Sequence, residues 1–126
     1  MASSNKFPKK GEIWLVDYTA NFNEIFGIES KIKKIRPSLI LSNDIQNEYS
    51  NDILVAPITS VEINNIELAE LLIKSNKECG LDKDSKALIY IIRTVDKKFR
   101  LKNLIGKISA EELKKAEDVV RLVFDV

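Results

Sequence analysis

Three short polar groups stand at the ends of apolar runs, where side chains are held by a strand and still reach solvent: Arg36-Pro37, Thr59-Ser60 and Arg93-Thr94-Val95-Asp96-Lys97. The chain of 126 residues contains no histidine. That absence removes imidazole acid–base pairs, Ser-His-Asp and Cys-His nucleophilic sites, and histidine-ligated zinc. Catalysis by this chain therefore falls to Arg, Lys, Tyr, Ser, Thr or carboxylates. Each polar group also has a plain structural reading, with Arg36 as a surface cation, Thr59 and Ser60 as turn caps, and Arg93 paired with Asp96. The single cysteine, Cys79, forms no internal disulfide and lacks partner thiols for a thiolate metal site, so it reads as an unremarkable loop residue.

Charge adds a second layer. With 20 basic and 19 acidic residues the net charge is +1, which argues neither for nor against a polyanionic partner. The distribution is uneven, since Lys31, Lys33, Lys34 and Arg36 fall close together and Lys97, Lys98, Arg100 and Lys102 form a second run. Either run alone reads as a solvated segment. Together they matter if the fold brings them to one surface.

The elements that must position these groups are mostly strands. GEIWLVDY, residues 11–18, places Ile13, Leu15 and Asp17 on one side and Trp14, Val16 and Tyr18 on the other. Residues 19–35 show no sustained period and read as a long loop. Pro37 stands at the start of the next strand, a tolerated place for proline in a sheet, and Ser42-Asn43-Asp44 caps about one helical turn through Tyr49. Ile53–Ile58 is a third strand, with Pro57 marking an edge or a bulge. Residues 67–74 read as a strand, 80–85 as a turn, Ala87–Ile92 as a buried strand and Leu104–Ile108 as the last one. Ser109 and Glu112 form a capping box, after which Leu113, Ala116, Val120 and Val123 recur at helical spacing. Strands followed by a terminal helix, without strand–helix alternation, predict an α+β, mainly β fold: a small SH3-like, barrel-like sheet with attached helices.

The length suits one domain spanning 1–126, with residues 1–10 as a lead-in. With 44% hydrophobic residues, no apolar run of about eighteen residues and no secretory leader, no membrane association is expected and a cytoplasmic protein is. GxGxxG and GxxxxGK are both missing.

Taken in order, GEIWLVDY, KKIRPSLILSND, ILVAPITS, GLDKDSKALIYIIRTVDK and IGKISAEELKKAEDVV resemble the MazF/PemK family of toxin endoribonucleases from about Gly11 to the C-terminus. The resemblance implies a CcdB/PemK-type sheet, a symmetric homodimer, and sequence-specific cleavage of single-stranded RNA with neither metal nor cofactor. It further implies neutralisation by a cognate antitoxin whose acidic C-terminal segment covers the RNA groove. The family's catalytic arginine and threonine fall on Arg36 and Thr59. RNA contacts are expected from Lys31, Lys33, Lys34, Asn43, Ser60, Arg93, Thr94, Lys97 and Lys98. Such a site suits the residue inventory, because RNA carries its own nucleophile in the ribose 2′-hydroxyl and an arginine fork can clamp phosphate oxygens. The products implied are a 2′,3′-cyclic phosphate and a 5′-hydroxyl.

Where many family members carry an acidic residue and a glutamine before I-R-T, this chain has Tyr90-Ile91. Base reading by that pair is therefore not implied, and Tyr90 reads either as a core tyrosine, the preferred choice, or as a stacking face for a base. Two other functions remain compatible with the fold: a CcdB-like non-enzymatic toxin that binds DNA gyrase, and a catalytically silent relative that binds RNA or antitoxin. The R-P strand start and the I-T-S strand end favour the ribonuclease.

Overall fold

The computed structural model describes residues 7–19 and 34–125. Among the described residues there are seven strands: β1 (Glu12–Asp17), β2 (Ile35–Ile40), β3 (Asp52–Thr59), β4 (Glu70–Ile73), β5 (Ser85–Leu88), β6 (Arg93–Asp96) and β7 (Leu101–Lys107). The described residues also form the helices α1 (Asp44–Tyr49), α2 (Lys97–Arg100) and α3 (Ala110–Phe124), with a 3-10 turn at Ile89–Ile91. All pairings are antiparallel, in the order β4-β5-β3-β2-β1-β7, and β6 joins β3 beside this path. Strands β4 and β7 end the path and do not pair with each other, so the mainly-β expectation holds while the sheet formed by the described residues is open, not a closed barrel.

The period-2 pattern of β1 carries into two cores. Ile13, Leu39, Ala56, Ile58, Leu71, Ile73 and Ala87 bury one face of the sheet, and Leu113, Val119 and Val120 of α3 pack on this cluster. Val16, Tyr18, Ile40, Ile53, Val55 and Val95 bury the other, with Trp14 and Leu101 against them. Successive residues alternate between clusters along β1, β2 and β3, as a pleated strand buried on both faces requires.

Pro57 occupies a position that tolerates a missing N–H. Along one edge β3 pairs first with β6, as far as Val55 opposite Arg93, and then with β5 from Ile58 opposite Ala87. Pro57 lies in the handover between these partners, which accounts for a proline inside a buried strand.

Helix caps follow the sequence closely. Asn43 Oδ1 accepts from the Gln46 amide at 2.8 Å, and Ser109 and Glu112 satisfy each other's amides at 3.0 Å. Helix α1 is tied to β3 through Ser42, whose hydroxyl donates to Asn47 Oδ1 at 2.5 Å and accepts from the Leu54 amide at 3.0 Å.

Four expectations need correction. The strand read over Ala87–Ile92 stops at Leu88, because Ile89–Ile91 turn with Ile89 fully buried in the α3-facing core. The last strand begins at Leu101 instead of Leu104, preceded by the unforeseen α2, whose N-terminus Asp96 caps by accepting from the Lys98 and Phe99 amides at 2.8 and 3.0 Å. Val123 is exposed, and Val119 takes its place on the core side. Cys79 is fully buried, its Sγ 3.5 Å from the carbonyls of Lys74 and Asn76. Among the described residues no helix is long and apolar enough to cross a membrane.

Candidate active site

The β2–β3 register brings the two principal residues together. Ser38 faces Pro57, Leu39 faces Ala56 and Ile40 faces Val55, so the same register continued by two positions sets Arg36 across from Thr59. Residues directly opposed in an antiparallel pair share a face, and the alternation of the two cores puts Arg36, Ser38 and Thr59 on the side of Tyr18 and Val55. At this end of the strands Arg36, Pro37, Thr59, Ser60, Asp82 and Lys83 line one cleft of about 580 Å³. Thr59 Oγ1 accepts a hydrogen bond from the Val61 amide at 3.2 Å. That bond uses an acceptor lone pair, and the hydroxyl proton remains to be donated into the cleft.

Arg36 is half-buried and backed by polar groups. The buried Tyr18 hydroxyl lies 2.5 Å from Ser38 Oγ, which in turn donates to the Arg36 carbonyl at 3.4 Å. Burial lowers the Arg36 pKa below the ordinary guanidinium value, an effect the Tyr18 phenol partly offsets. Arginine starts so high that the group stays cationic at any working pH. Its partial desolvation strengthens its field in the cleft.

Burial also raises the Tyr18 pKa well above its ordinary value of 10.0, against smaller opposing effects from Ser38 and Arg36. A raised pKa in the folded state means that the contribution of Tyr18 to stability is intact below the unfolded value and is lost as pH climbs toward the folded one. Comparison with Tyr18→Phe isolates it: the stability difference between the two proteins, measured by denaturant unfolding, should stay flat to about pH 9 and shift against the wild type above about pH 10. A difference that stays constant through pH 11 would refute the assignment.

The remaining candidates divide by position. Lys31 and Lys33 lie outside the described residues. Lys34 is exposed just before β2, and Ser60 lines the cleft. Arg93 and Thr94 sit at mid-sheet opposite Val55 and Leu54, about 13 Å along β3 from Thr59 at the usual strand rise. Arg93 shares the Arg36 face, and its buried Nε has no hydrogen-bond partner among the described residues. Asn43, Lys97 and Lys98 lie toward the far end of β3, roughly 20 Å or more away. There Asn43 caps α1, and the Lys97 ammonium donates to the Asn47 and Glu48 carbonyls at 2.6 and 2.9 Å. Lys97 thus closes the C-terminal end of α1, while Lys98 is exposed. The second basic run does approach Arg36, through its later members: Leu101 and Arg36 both pair with Val16, and Arg100 and Lys102 lie close enough to Asp17 to help lower its pKa, after the larger effect of its Thr19 hydrogen bonds.

Three polar cleft residues escaped the sequence reading, Asp82, Lys83 and Ser85, which belong to a segment assigned only turn chemistry. Their signal was the turn's place before a buried strand. Tyr90 is 55% exposed, which overturns its reading as a core residue. Among the described residues no three or more His, Cys, Asp or Glu side chains are grouped to hold a metal ion.

Residues 9–124 match the family of PemK-like, MazF-like toxins of type II toxin–antitoxin systems. The chain belongs to that family. Over 112 residues it is 32% identical to the endoribonuclease MazF of Staphylococcus saprophyticus, covering 89% of this chain and 87% of the relative. The fold of this MazF-like toxin superposes on Deinococcus radiodurans MazF with a TM-score of 0.72 at 16% identity, covering 97% of this chain and all of the other. It also superposes on an endoribonuclease in complex with its cognate antitoxin from a mycobacterial species, with a TM-score of 0.71 at 14% identity and coverage of 94% and 96%.

Proposed function

We propose that this toxin is a sequence-specific endoribonuclease that cleaves single-stranded RNA by attack of the ribose 2′-hydroxyl on the adjacent phosphodiester. The observation that carries the reading is the common cleft of Arg36 and Thr59. The Arg36 guanidinium clamps two non-bridging phosphate oxygens, and the Thr59 hydroxyl donates to the same group, with Ser60 at the cleft wall. As the 2′-oxygen gives up its proton to solvent and bonds to phosphorus, negative charge accumulates on those oxygens, and the P–O5′ bond breaks as the leaving 5′-oxygen takes up a proton from solvent. The products are a 2′,3′-cyclic phosphate and a 5′-hydroxyl. The nucleophile belongs to the substrate, so positioning and charge stabilisation suffice and no metal or cofactor is required. Lys34 and Arg93 extend the phosphate-binding surface from the cleft, whereas Thr94 alternates to the opposite face with Leu54.

The toxin acts in the cytoplasm as a homodimer and is silenced by an antitoxin whose acidic C-terminal segment competes with RNA. The mycobacterial relative solved with its cognate antitoxin supports that partnership. The test is incubation of the purified protein with a long RNA in EDTA, followed by mapping of both ends. Discrete cuts with cyclic phosphate and 5′-hydroxyl termini are expected, falling about a hundredfold in rate in Thr59→Ala. Intact RNA, or cuts that vanish in EDTA, would overturn the mechanism, and intact RNA with gyrase inhibition would favour a CcdB-like action.

A further inference from the structure

Beside the cleft lies a charged pair that the proposed chemistry does not use. Glu70 Oε1 and Lys86 Nζ are 2.9 Å apart, with side chains only 4% and 8% exposed. Burying two opposite charges costs desolvation that their attraction often fails to recover, and apolar replacements of such pairs are frequently no less stable. The pair's second contacts suggest what it does instead. Glu70 Oε1 also accepts from the Glu67 amide at 2.9 Å, and Lys86 Nζ also donates to the Asn65 carbonyl at 3.1 Å. Both charges thus hold the backbone of one segment, residues 60–69, which links β3 to β4. Within it Asn65 Nδ2 reaches Glu67 Oε2 at 3.0 Å and the Asn65 amide closes a turn on the Glu62 carbonyl at 3.2 Å. Glu62 adopts a left-handed φ of 56°, uncommon for a non-glycine residue.

The other end of this segment is the cleft wall. Ser60 and Val61 line the cleft, and the Val61 amide is the group that orients the Thr59 hydroxyl. Lys86 is also the residue directly across from Thr59 in the β3–β5 ladder. One strand position therefore carries the hydroxyl, and its neighbour carries the charge that fixes the returning loop.

We propose that Glu70 and Lys86 are positioning residues for RNA cleavage, clamping the 60–69 loop so that the Val61 amide aims the Thr59 hydroxyl at the scissile phosphate. This inference rests on the ribonuclease reading. Loosening the loop leaves Arg36 in place, so substrate still binds while the hydroxyl loses its aim. The loss then appears in kcat more than in KM.

The test compares Lys86→Met, Lys86→Arg and the double variant Glu70→Leu/Lys86→Met with the wild type, using amide hydrogen exchange and cleavage kinetics on a short single-stranded RNA. In Lys86→Met, amides of 60–69 are expected to exchange about tenfold faster while those of β3 and β5 keep their protection. Its kcat falls roughly tenfold or more with KM changed less than about threefold, the scale of a small misplacement of a reacting group. Lys86→Arg recovers part of both losses. The double variant recovers thermal stability but neither loop protection nor kcat, which separates positioning from folding. Wild-type cleavage with unchanged loop protection in Lys86→Met, or a double variant with full kcat, would overturn this inference alone. A wild-type chain that cuts no RNA overturns the ribonuclease reading and this inference with it.

Discussion

Replacing Arg36 by alanine is expected to slow RNA cleavage by about a hundredfold to a thousandfold, the range seen when one preorganised donor to a developing oxyanion is removed. That factor corresponds to about 3 kcal/mol of transition-state stabilisation. Arg36→Lys is the more discriminating variant. Lysine keeps the positive charge but presents a compact ammonium where the cleft has a planar fork, so the paired contacts to two phosphate oxygens are lost. If Arg36 acts mainly through that fork, Arg36→Lys falls well below the wild type while holding an RNA with a 2′-deoxy scissile nucleotide nearly as tightly. A lysine variant at full rate would defeat the clamp and leave only bulk charge. Arg36 also packs on the face that holds Tyr18 and Ser38, so melting temperatures of all three proteins must accompany the rates.

The largest structural effect is expected at Gly106. This residue faces Ile13 across the β1–β7 ladder, and a Cβ there would lie 2.3 Å from the Glu78 carbonyl oxygen and 2.6 Å from the carbonyl carbon and oxygen of Cys79. These are backbone atoms, held by the bond from the Lys107 amide to Glu78 O at 3.0 Å, so the obstacle cannot swing away like the tip of a side chain. Gly80 makes the reciprocal contact, with φ of +73° and its Cβ position 2.5 Å from the Ile105 carbonyl oxygen. Gly106→Ala must displace the segment that carries the buried Cys79, at a cost of about 3 kcal/mol, the upper part of the usual overpacking range. For a domain of this size the melting temperature should drop by roughly 10 °C. A Gly106→Ala protein that melts within a degree or two of the wild type would contradict this packing.

The parts of the fold legible in the sequence are those where a local pattern and the tertiary environment agree. The alternation in GEIWLVDY and the Ser109–Glu112 capping box each report a period or a bond made within a few residues. Arg36 and Thr59 stood out because each ends an apolar run, and the hairpin that joins their strands is local enough to bring them together. Less was legible where distant packing decided the outcome. Ile89–Ile91 continue an apolar run, yet the chain turns there to fit beneath α3. Lys97 looked like a phosphate contact because its charge was visible, whereas the helix carbonyls that engage its ammonium belong to residues some fifty positions earlier. The Glu70–Lys86 pair had a faint signal, a single opposite charge inside each of two apolar strands, and that signal becomes meaningful only with the β4–β5 register.

The pairing of β1 with β7 also bears on when the molecule becomes complete. Strands β2 and β3 are near neighbours in sequence and can zip together soon after both leave the ribosome, so the Arg36–Thr59 hairpin is an early product. Strand β1, which ends at Asp17, keeps one bare edge until β7 emerges from Leu101 onward, and contacts so remote in sequence form slowly. A nascent chain thus carries the Arg36–Thr59 pair well before it has the finished shell around it.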